Sequence, residues 1–433
     1  MTIDEWGDRR LMNAGTNTSD DWIPQTAREW YEWLVQEEKK TSAMYRIKPN
    51  ALIADYRRER DIARDYEGRE ILELLQNAND QAAEQGQRGR VLIELSPTGL
   101  IVANTGLAFS VGGVASLQTS HLSPKRRKRK KLIGNKGLGF RAILNWSRSP
   151  IILSNALCLA YCTEHAKNKL KALTDGCPEL ARVVREEQQD GNALILPLLP
   201  FPLYSENGDL AAHLADERAR ESFERCEALL IEGYDTVIGM PFDTANGYEV
   251  AHAQITEVRP EILLFAQHLG ELCFRCDDDP TVTWRREGND KIAEVVKNDT
   301  PLGKWEIYRI ADKLPSAVVA SDQGEATDYE IVVALRTDKP GTSGPLYSHF
   351  PTDITLPLPL VCHATLELEQ NRKHMQQGRK CNSYVLSRLA ELLTVAWHNC
   401  CRYLWPNFVG LVDISFHQEV NHVALFENPS TAS

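Results

Sequence analysis

Glu73, Asn77 and Asp80 stand at positions i, i+4 and i+7 of the stretch Ile71-Leu72-Glu73-Leu74-Leu75-Gln76-Asn77-Ala78-Asn79-Asp80. A helix sets all three on one side. A carboxylate and a carboxamide one turn apart have complementary chemistry: Glu73 can orient or deprotonate a water, and the Asn77 amide oxygen can ligate Mg²⁺. About sixty positions later comes Gly134-Asn135-Lys136-Gly137-Leu138-Gly139-Phe140, a Gly-x-x-Gly-x-Gly turn ahead of an expected helix. Such a turn brings backbone N–H groups against phosphate oxygens, because glycine permits close approach and a helix N-terminus is electropositive. Each feature alone is a weak signal, and the ordinary reading of the first is a solvated face of an amphipathic helix.

The elements that must position these residues follow from periodicity. Ile71, Leu74, Leu75, Ala78 and Ala82 form the apolar side of the central helix, expected from near Asp65 to Gly86. Two helices precede it, one opened by Pro24 ahead of Trp30, Trp33 and Leu34, the other running from Pro49 to about Ile62. Strands at 90–95 and 100–103 make a hairpin through Ser96-Pro97-Thr98-Gly99. A loop at 104–109 leads to a short helix at 111–117. Residues 119–131 lack periodicity and read as a flexible loop. The glycine turn leads into a helix through Leu144, and strands follow at 151–153 and 156–162. Between 163 and 232 helical stretches alternate with one apolar, proline-rich run, 193–204, that fits no element. A strand at 234–242 ends near Pro241. Residues 261–272 read as a helical connector to a second domain with strands at 281–286, 303–310, 329–336 and 360–368 and a last helix at 382–403. No internal repeat is apparent.

Composition sets limits. The 433 residues are 42% hydrophobic and 25% charged, ordinary for two or three globular domains. No apolar run approaches the roughly 20 residues needed to span a bilayer, and the polar start has no signal-peptide core, so a cytoplasmic protein without membrane contact is expected. Ten cysteines lack a framework spacing. Cys273/Cys276 has C-x-x-C spacing and Cys400/Cys401 are adjacent, but the alternating Leu272-Cys273-Phe274-Arg275 favours a buried thiol on a strand over a zinc ligand. Net charge is −11, while 125–131 (Lys-Arg-Arg-Lys-Arg-Lys-Lys) carries seven positive charges, leaving −18 on the rest. An acidic body argues against a broad nucleic-acid face, though one basic loop can still contact phosphate.

Taken together, the Glu/Asn/Asp stretch, then Asn104-Thr105-Gly106-Leu107-Ala108-Phe109, then the glycine turn resemble the GHKL (Bergerat-fold) ATPases: gyrase B, the heat-shock chaperone of that family, MutL and histidine kinases. The similarity spans roughly 45–245 and is nearest to sacsin-type and heat-shock-chaperone-like N-terminal ATP-binding domains. The resemblance implies an α/β (α+β) two-layer Bergerat sandwich with a mixed sheet and an ATP lid, followed by a second α+β middle or transducer-like domain. The corresponding boundaries are a flexible arm at 1–22, an ATP-binding domain at 23–258 with its lid at about 119–136, and the second domain at 259–433.

The same resemblance assigns roles. Glu73 is the general base for water attack on the γ-phosphate, Asn77 the Mg²⁺ ligand, and Asp80 lines the pocket. Gly134, Gly137 and Gly139, with Leu138 and Phe140, form the phosphate-cradling turn, and Lys136 and Lys125 add charge. Thr236 supports the adenine edge beside Asn104 and Gly106. The family usually has an aspartate where this chain has Asn104, and a second glycine where it has Ala108; an amide oxygen still accepts a hydrogen bond but is the weaker partner. From the second domain Arg372 is the candidate basic residue reaching the γ-phosphate, whereas His363 and His374 read as structural or exposed. The expectation is an ATPase using ATP and Mg²⁺, slow, with lid closure and homodimerisation as a switch, chaperone-like or in a prokaryotic antiviral defence system. The alternatives are a scaffold with a degenerate site, or an ATPase that binds DNA or another polyanion, or a protein effector, through the basic run at 125–131.

Overall fold

A computed structural model describes residues 20–118, 139–189, 195–277, 279–322, 327–338, 341, 343–369 and 371–403. Contacts group the chain into two units, one comprising Met1–Glu257 with Cys273–Thr281, the other Val258–Leu272 with Val282–Ser433.

In the first unit, helix α1, Ala27–Ile47, starts at a capping box in which Thr26 Oγ1 accepts from the Glu29 N–H at 3.2 Å and the Glu29 carboxylate accepts from the Thr26 N–H at 3.2 Å. Pro24 therefore lies outside the helix it was expected to open. Helix α2, Asn50–Asp65, and helix α3, Glu70–Gln85, are separated by a turn at Gly68, whose φ of 81° is left-handed. The central helix thus begins at Glu70 rather than near Asp65. Strands β1, Gly89–Ser96, and β2, Gly99–Asn104, form the expected hairpin. Then come α4 (Val111–Gln118), β3 (Ile151–Ser154), β4 (Leu157–Ala160), α5 (Thr163–Asp175), α6 (Pro178–Gln189), α7 (Glu217–Ile231), β5 (Thr236–Pro241) and α8 (Gly247–Glu257). Residues 20–22, assigned to the arm by composition, are held on α4: Val111 N–H donates to the Trp22 carbonyl and Gly112 N–H to that of Asp20, both at 2.9 Å.

The strands of this unit run β1-β2-β5-β3-β4, each neighbour antiparallel. Leu92, Ile101, Ala103, Ile151, Leu153 and Val237 share one face and pack against Ala219, Phe223, Cys226 and Leu229 of α7. Side chains alternate along a strand, so Asn104, Thr236 and Ser154 belong to the other face, which carries α3. The fold is mixed α/β, and α7 adds a layer beyond the two expected, on the face turned away from α3.

In the second unit α9, Ile262–Phe265, is a single turn, and β6, Leu269–Cys276, is divided between the units after Leu272. The helix expected over 261–272 ends at Ala266, whose ψ of 75° leaves the helical region, and the alternating sequence beyond it favours a strand. Strands β7 (Val282–Gly288), β8 (Ile292–Lys297) and β9 (Thr300–Lys313), helix α10 (Ser316–Ser321), strands β10 (Asp328–Arg336), β11 (Gly344–Ser348), β12 (Phe350–Leu356) and β13 (Val361–Ala364), and helix α11 (Lys380–Tyr403) follow. The order β12-β11-β13-β10-β9-β8-β7 is antiparallel except for the β11–β13 pair. Val385, Leu386, Leu389 and Leu392 of α11 meet Ile331, Val333 and Leu335 of β10 in its core.

A buried carboxylate fixes the apolar run left unassigned above. Residues 195–200 form neither helix nor strand, yet most of their side chains are buried, so their amides need partners. Glu59 of α2 supplies them: both its oxygens accept from the Leu198 N–H at 3.0 Å, and one also accepts from the Leu199 N–H at 3.0 Å. Arg148 stands 3.8 Å from the same carboxylate. Burial outweighs these donors and raises the Glu59 pKa above its ordinary 4.5. The folded chain then holds this proton to higher pH than the unfolded chain does. The associated stability is complete below pH 4.5 and is lost as pH rises through the raised value. Glu59→Gln keeps an acceptor but does not titrate, so it is expected to flatten this part of the profile of urea midpoint against pH. An equally steep fall in the variant refutes the assignment.

Candidate functional site

Helix α3 is buried on both sides. Its apolar residues Ile71, Leu74, Leu75, Ala78 and Ala82 are in the core, but Glu73 and Asp80 are also only 3% and 2% exposed, and Asn77 is half-buried. A solvated polar face is therefore excluded, and two carboxylates sit where low dielectric makes charge costly unless partners or ligands compensate it.

The N-terminal end of α3 is fixed through Glu70. Its carboxylate accepts from Gln254 Nε2 of α8 at 2.6 Å and from Asn145 Nδ2 at 2.9 Å, while the Ile71 N–H donates to Gln254 Oε1 at 3.3 Å. Burial raises the Glu70 pKa against these two donors. Asn145 also donates to the Ala63 carbonyl at 2.8 Å and so joins α2 to α3.

The other end is fixed by the turn after β2. The Leu107 N–H donates to the Gln81 carbonyl at 3.1 Å, the Gly106 N–H to Asp235 Oδ2 at 2.9 Å, and the Asp235 N–H to the Asn104 carbonyl at 3.0 Å. Gly106 has φ of 151°, and a Cβ there would lie 2.9 Å from the backbone of both Gln81 and Ala82, so only glycine lets the turn dock on α3. Asn104 Nδ2 donates to Gln81 Oε1 at 2.8 Å. Strand register places Asn104 opposite Thr236, and Thr236 opposite Ser154. The two hydroxyls are 2.7 Å apart, and Ser154 Oγ accepts from the Phe109 N–H at 3.1 Å. Asn104, Thr236 and Ser154 thus form a buried polar row at the strand ends beside α3.

Lys125, Gly134, Lys136, Gly137 and Leu138 lie outside the described residues. Gly139 and Phe140 open a 3₁₀ helix, Gly139–Asn145, over the stretch expected to be helical through Leu144, and Phe140 is buried. The next residue, Arg141, was not anticipated. Its buried guanidinium donates to the Leu117 carbonyl at 3.0 Å and the Ser116 carbonyl at 3.5 Å, at the negative end of α4. Burial lowers its pKa, and the charges of Glu59 and Asp55 oppose that shift. Arg141 therefore links the 3₁₀ helix to the end of α4 through the Ser116 and Leu117 carbonyls.

Arg372, in the second unit, has φ of 56° and sits in a tight turn in which its N–H donates to the Glu369 carbonyl and the Glu369 N–H to that of His374, both at 2.9 Å. His374 is exposed. His363, which is buried, belongs to a group with the half-buried His349 and Glu330 whose donor atoms lie within 4.8 Å of one another. The hydrogen bonds disfavour a cation there. The His349 N–H donates to His363 Nδ1 at 2.9 Å, which leaves the ring proton on Nε2, facing Glu330 Oε2 at 3.7 Å. Arg309 Nη1 already occupies Glu330 Oε1 at 2.5 Å. Burial and the charge of Arg309 hold the His349 pKa down to about 4, and burial, His349 and Arg309 push that of His363 well below its ordinary value. Both rings are neutral at pH 7, in a structural network.

Gln81, Ser154, Asp235, Glu70 and Arg141 escaped the sequence reading. Gln81 follows Asp80 directly, but its relevance depends on how the turn docks; Ser154 and Asp235 become visible only once strand register is known.

No family model matches the chain. It is 24% identical over 345 residues to the protein NO VEIN of Arabidopsis thaliana, a match covering 76% of this chain and 11% of that protein. The chain therefore spans about a tenth of that relative's length.

The docking of the turn on α3 has a direct test. Gly106→Ala puts a methyl group against backbone atoms and strains a positive φ, which costs about 1–3 kcal/mol. A lowered melting temperature is expected, whereas a variant as stable as the parent would contradict the close contact.

Proposed function

We propose that the chain is a Mg²⁺-dependent, ATP-binding protein of the GHKL type that hydrolyses ATP slowly and uses the cycle as a conformational switch linked to dimerisation. The observation that carries this reading is the continuity of polar groups around α3. Glu73, Asn77 and Asp80 lie along a buried helix, and that helix is hydrogen-bonded at Gln81 to Asn104, the first member of the Asn104–Thr236–Ser154 row. A carboxylate, an amide oxygen and a hydroxyl row suit three parts of one ligand: attacking water, metal-bound phosphate and base.

The donor set fits the group it would hold. Asn77 offers a hard, neutral oxygen of the kind Mg²⁺ accepts. When bound, Mg²⁺ spreads the negative charge of the β- and γ-phosphates. Glu73, one turn away, orients a water and accepts its proton as the water attacks phosphorus. Asp80 and the Asn104 row sit toward the opposite end of α3 and hold the base. Gly106, through its docking on α3, keeps these two ends in register.

A nucleotide-binding scaffold with little or no turnover is the second reading, favoured by the neutral Asn104 and by Ala108. Phosphate release and nucleotide affinity measured together separate the two. Glu73→Ala is expected to keep affinity and lower turnover by ~10²–10⁴-fold, and Asn77→Ala to weaken Mg²⁺-nucleotide binding by at least about tenfold. Binding without turnover in the parent supports the scaffold, and indifference of both properties to both substitutions rejects the site.

A further inference from the structure

We propose that Gln81 selects the purine class by setting which way the Asn104 amide faces, an inference that rests on the nucleotide-site reading above. Asn104 Nδ2 donates to Gln81 Oε1 at 2.8 Å, which turns the NH₂ end of the amide toward α3 and leaves Oδ1 as the end without a hydrogen-bond partner among the described residues. Its neighbour in register, Thr236, supplies a hydroxyl. The Ser154 oxygen already accepts the Phe109 N–H at 3.1 Å. Ser154 can donate its own proton to Thr236 across their 2.7 Å contact, and in that arrangement the Thr236 proton is free for a further acceptor.

The row then offers an acceptor, Asn104 Oδ1, beside a donor, the Thr236 hydroxyl. That pattern complements a 6-aminopurine, whose exocyclic amine donates and whose N1 accepts, directly or through one water. A 6-oxopurine has the inverse pattern, with an accepting O6 and a donating N1–H. If the Asn104 amide turned over, its NH₂ would face the base and favour the 6-oxo class. Gln81 is thus a positioning residue: it touches Asn104 and acts on the base through it.

Substitutions at Gln81 divide the outcomes cleanly. Gln81→Glu only accepts, so it keeps Asn104 in the observed orientation. Gln81→Lys only donates, so it draws Oδ1 toward α3 and turns the NH₂ outward. Gln81→Leu does neither. Calorimetric titration of the full chain with Mg²⁺-ATP and Mg²⁺-ITP, which differ at the 6-position and N1, reads the preference. The parent is expected to prefer ATP by about tenfold or more. Gln81→Glu is expected to retain that ratio, Gln81→Leu to reduce it, and Gln81→Lys to bring it to parity or invert it. Equal melting temperatures of parent and Gln81→Glu show that the comparison is made on folded protein. A ratio that stays the same across all three variants, or a parent that matches Gln81→Lys rather than Gln81→Glu, overturns the selector role and leaves the ATP site standing. A parent that binds neither nucleotide overturns the nucleotide-site reading itself, and this inference with it.

Discussion

The burial of the polar side of α3 along with its apolar side is the constraint that shapes the first unit. A helix carrying Glu70, Glu73 and Asp80 at 3% exposure or less must have those charges satisfied, because isolated carboxylates at low dielectric cost several kcal/mol each. At the N-terminal end the amides of Asn145 and Gln254 meet Glu70. At the other end the backbone of Gln81 and Ala82 receives the turn at Gly106, and the Gln81 side chain receives Asn104. The surrounding α8, the 3₁₀ helix and the end of β2 are each tied to α3 by such a polar contact or by close backbone approach, and α2 is joined to it through Asn145.

A second set of buried charges works by the same rule. Glu59 bonds amides of a segment that has no ladder partners over 198–199, and Arg141 bonds carbonyls at the end of α4 that have no helical partner. Each satisfies backbone groups that local structure leaves orphaned. Their opposite charges lie close enough for each to shift the other's pKa, Glu59 downward and Arg141 upward, against the larger effect of burial. The network of His349, His363, Glu330 and Arg309 in the second unit differs. There burial keeps both imidazoles neutral, and the single ion pair between Arg309 and Glu330 carries the charge.

The elements legible in the sequence were those specified locally. The hairpin of β1 and β2 follows from turn chemistry at Pro97-Thr98-Gly99, and α11 from a long apolar period. The start of α3 was misplaced because Arg64, Asp65 and Tyr66 have ordinary helix propensity, and only the left-handed Gly68 breaks the helix. The stretch 261–272 read as helix because Ile262–Phe265 is helical, and the switch to β6 depends on strand partners distant in sequence. The candidate site was legible in its residue types along α3, since their spacing is a property of the helix itself. Whether that side faced water or the interior was not, because burial is decided by the elements that close over it. Gln81, Ser154 and Asp235 matter only through pairings over tens of residues, and no local pattern announces them.

Under the proposed GHKL reading Asn104 stands where a carboxylate is usual, and the burial of α3 gives a physical reason why a neutral side chain suits this chain. A carboxylate there would add a further buried negative charge to a region that already encloses Glu73 and Asp80, with both a desolvation cost and like-charge repulsion to overcome. An amide avoids both and still offers an accepting oxygen. It is the weaker acceptor, and it has two unlike ends, so an isolated asparagine could present either to a ligand. A carboxylate has no such ambiguity, since both oxygens accept. Exchanging charge for neutrality therefore creates a need that a carboxylate would not have, an adjacent acceptor that holds the NH₂ end. Gln81 Oε1, 2.8 Å from Asn104 Nδ2, is placed to meet it. On the proposed nucleotide-site reading, Asn104 and Gln81 would act as one recognition unit, with the selectivity of the site in the pair rather than in Asn104 alone.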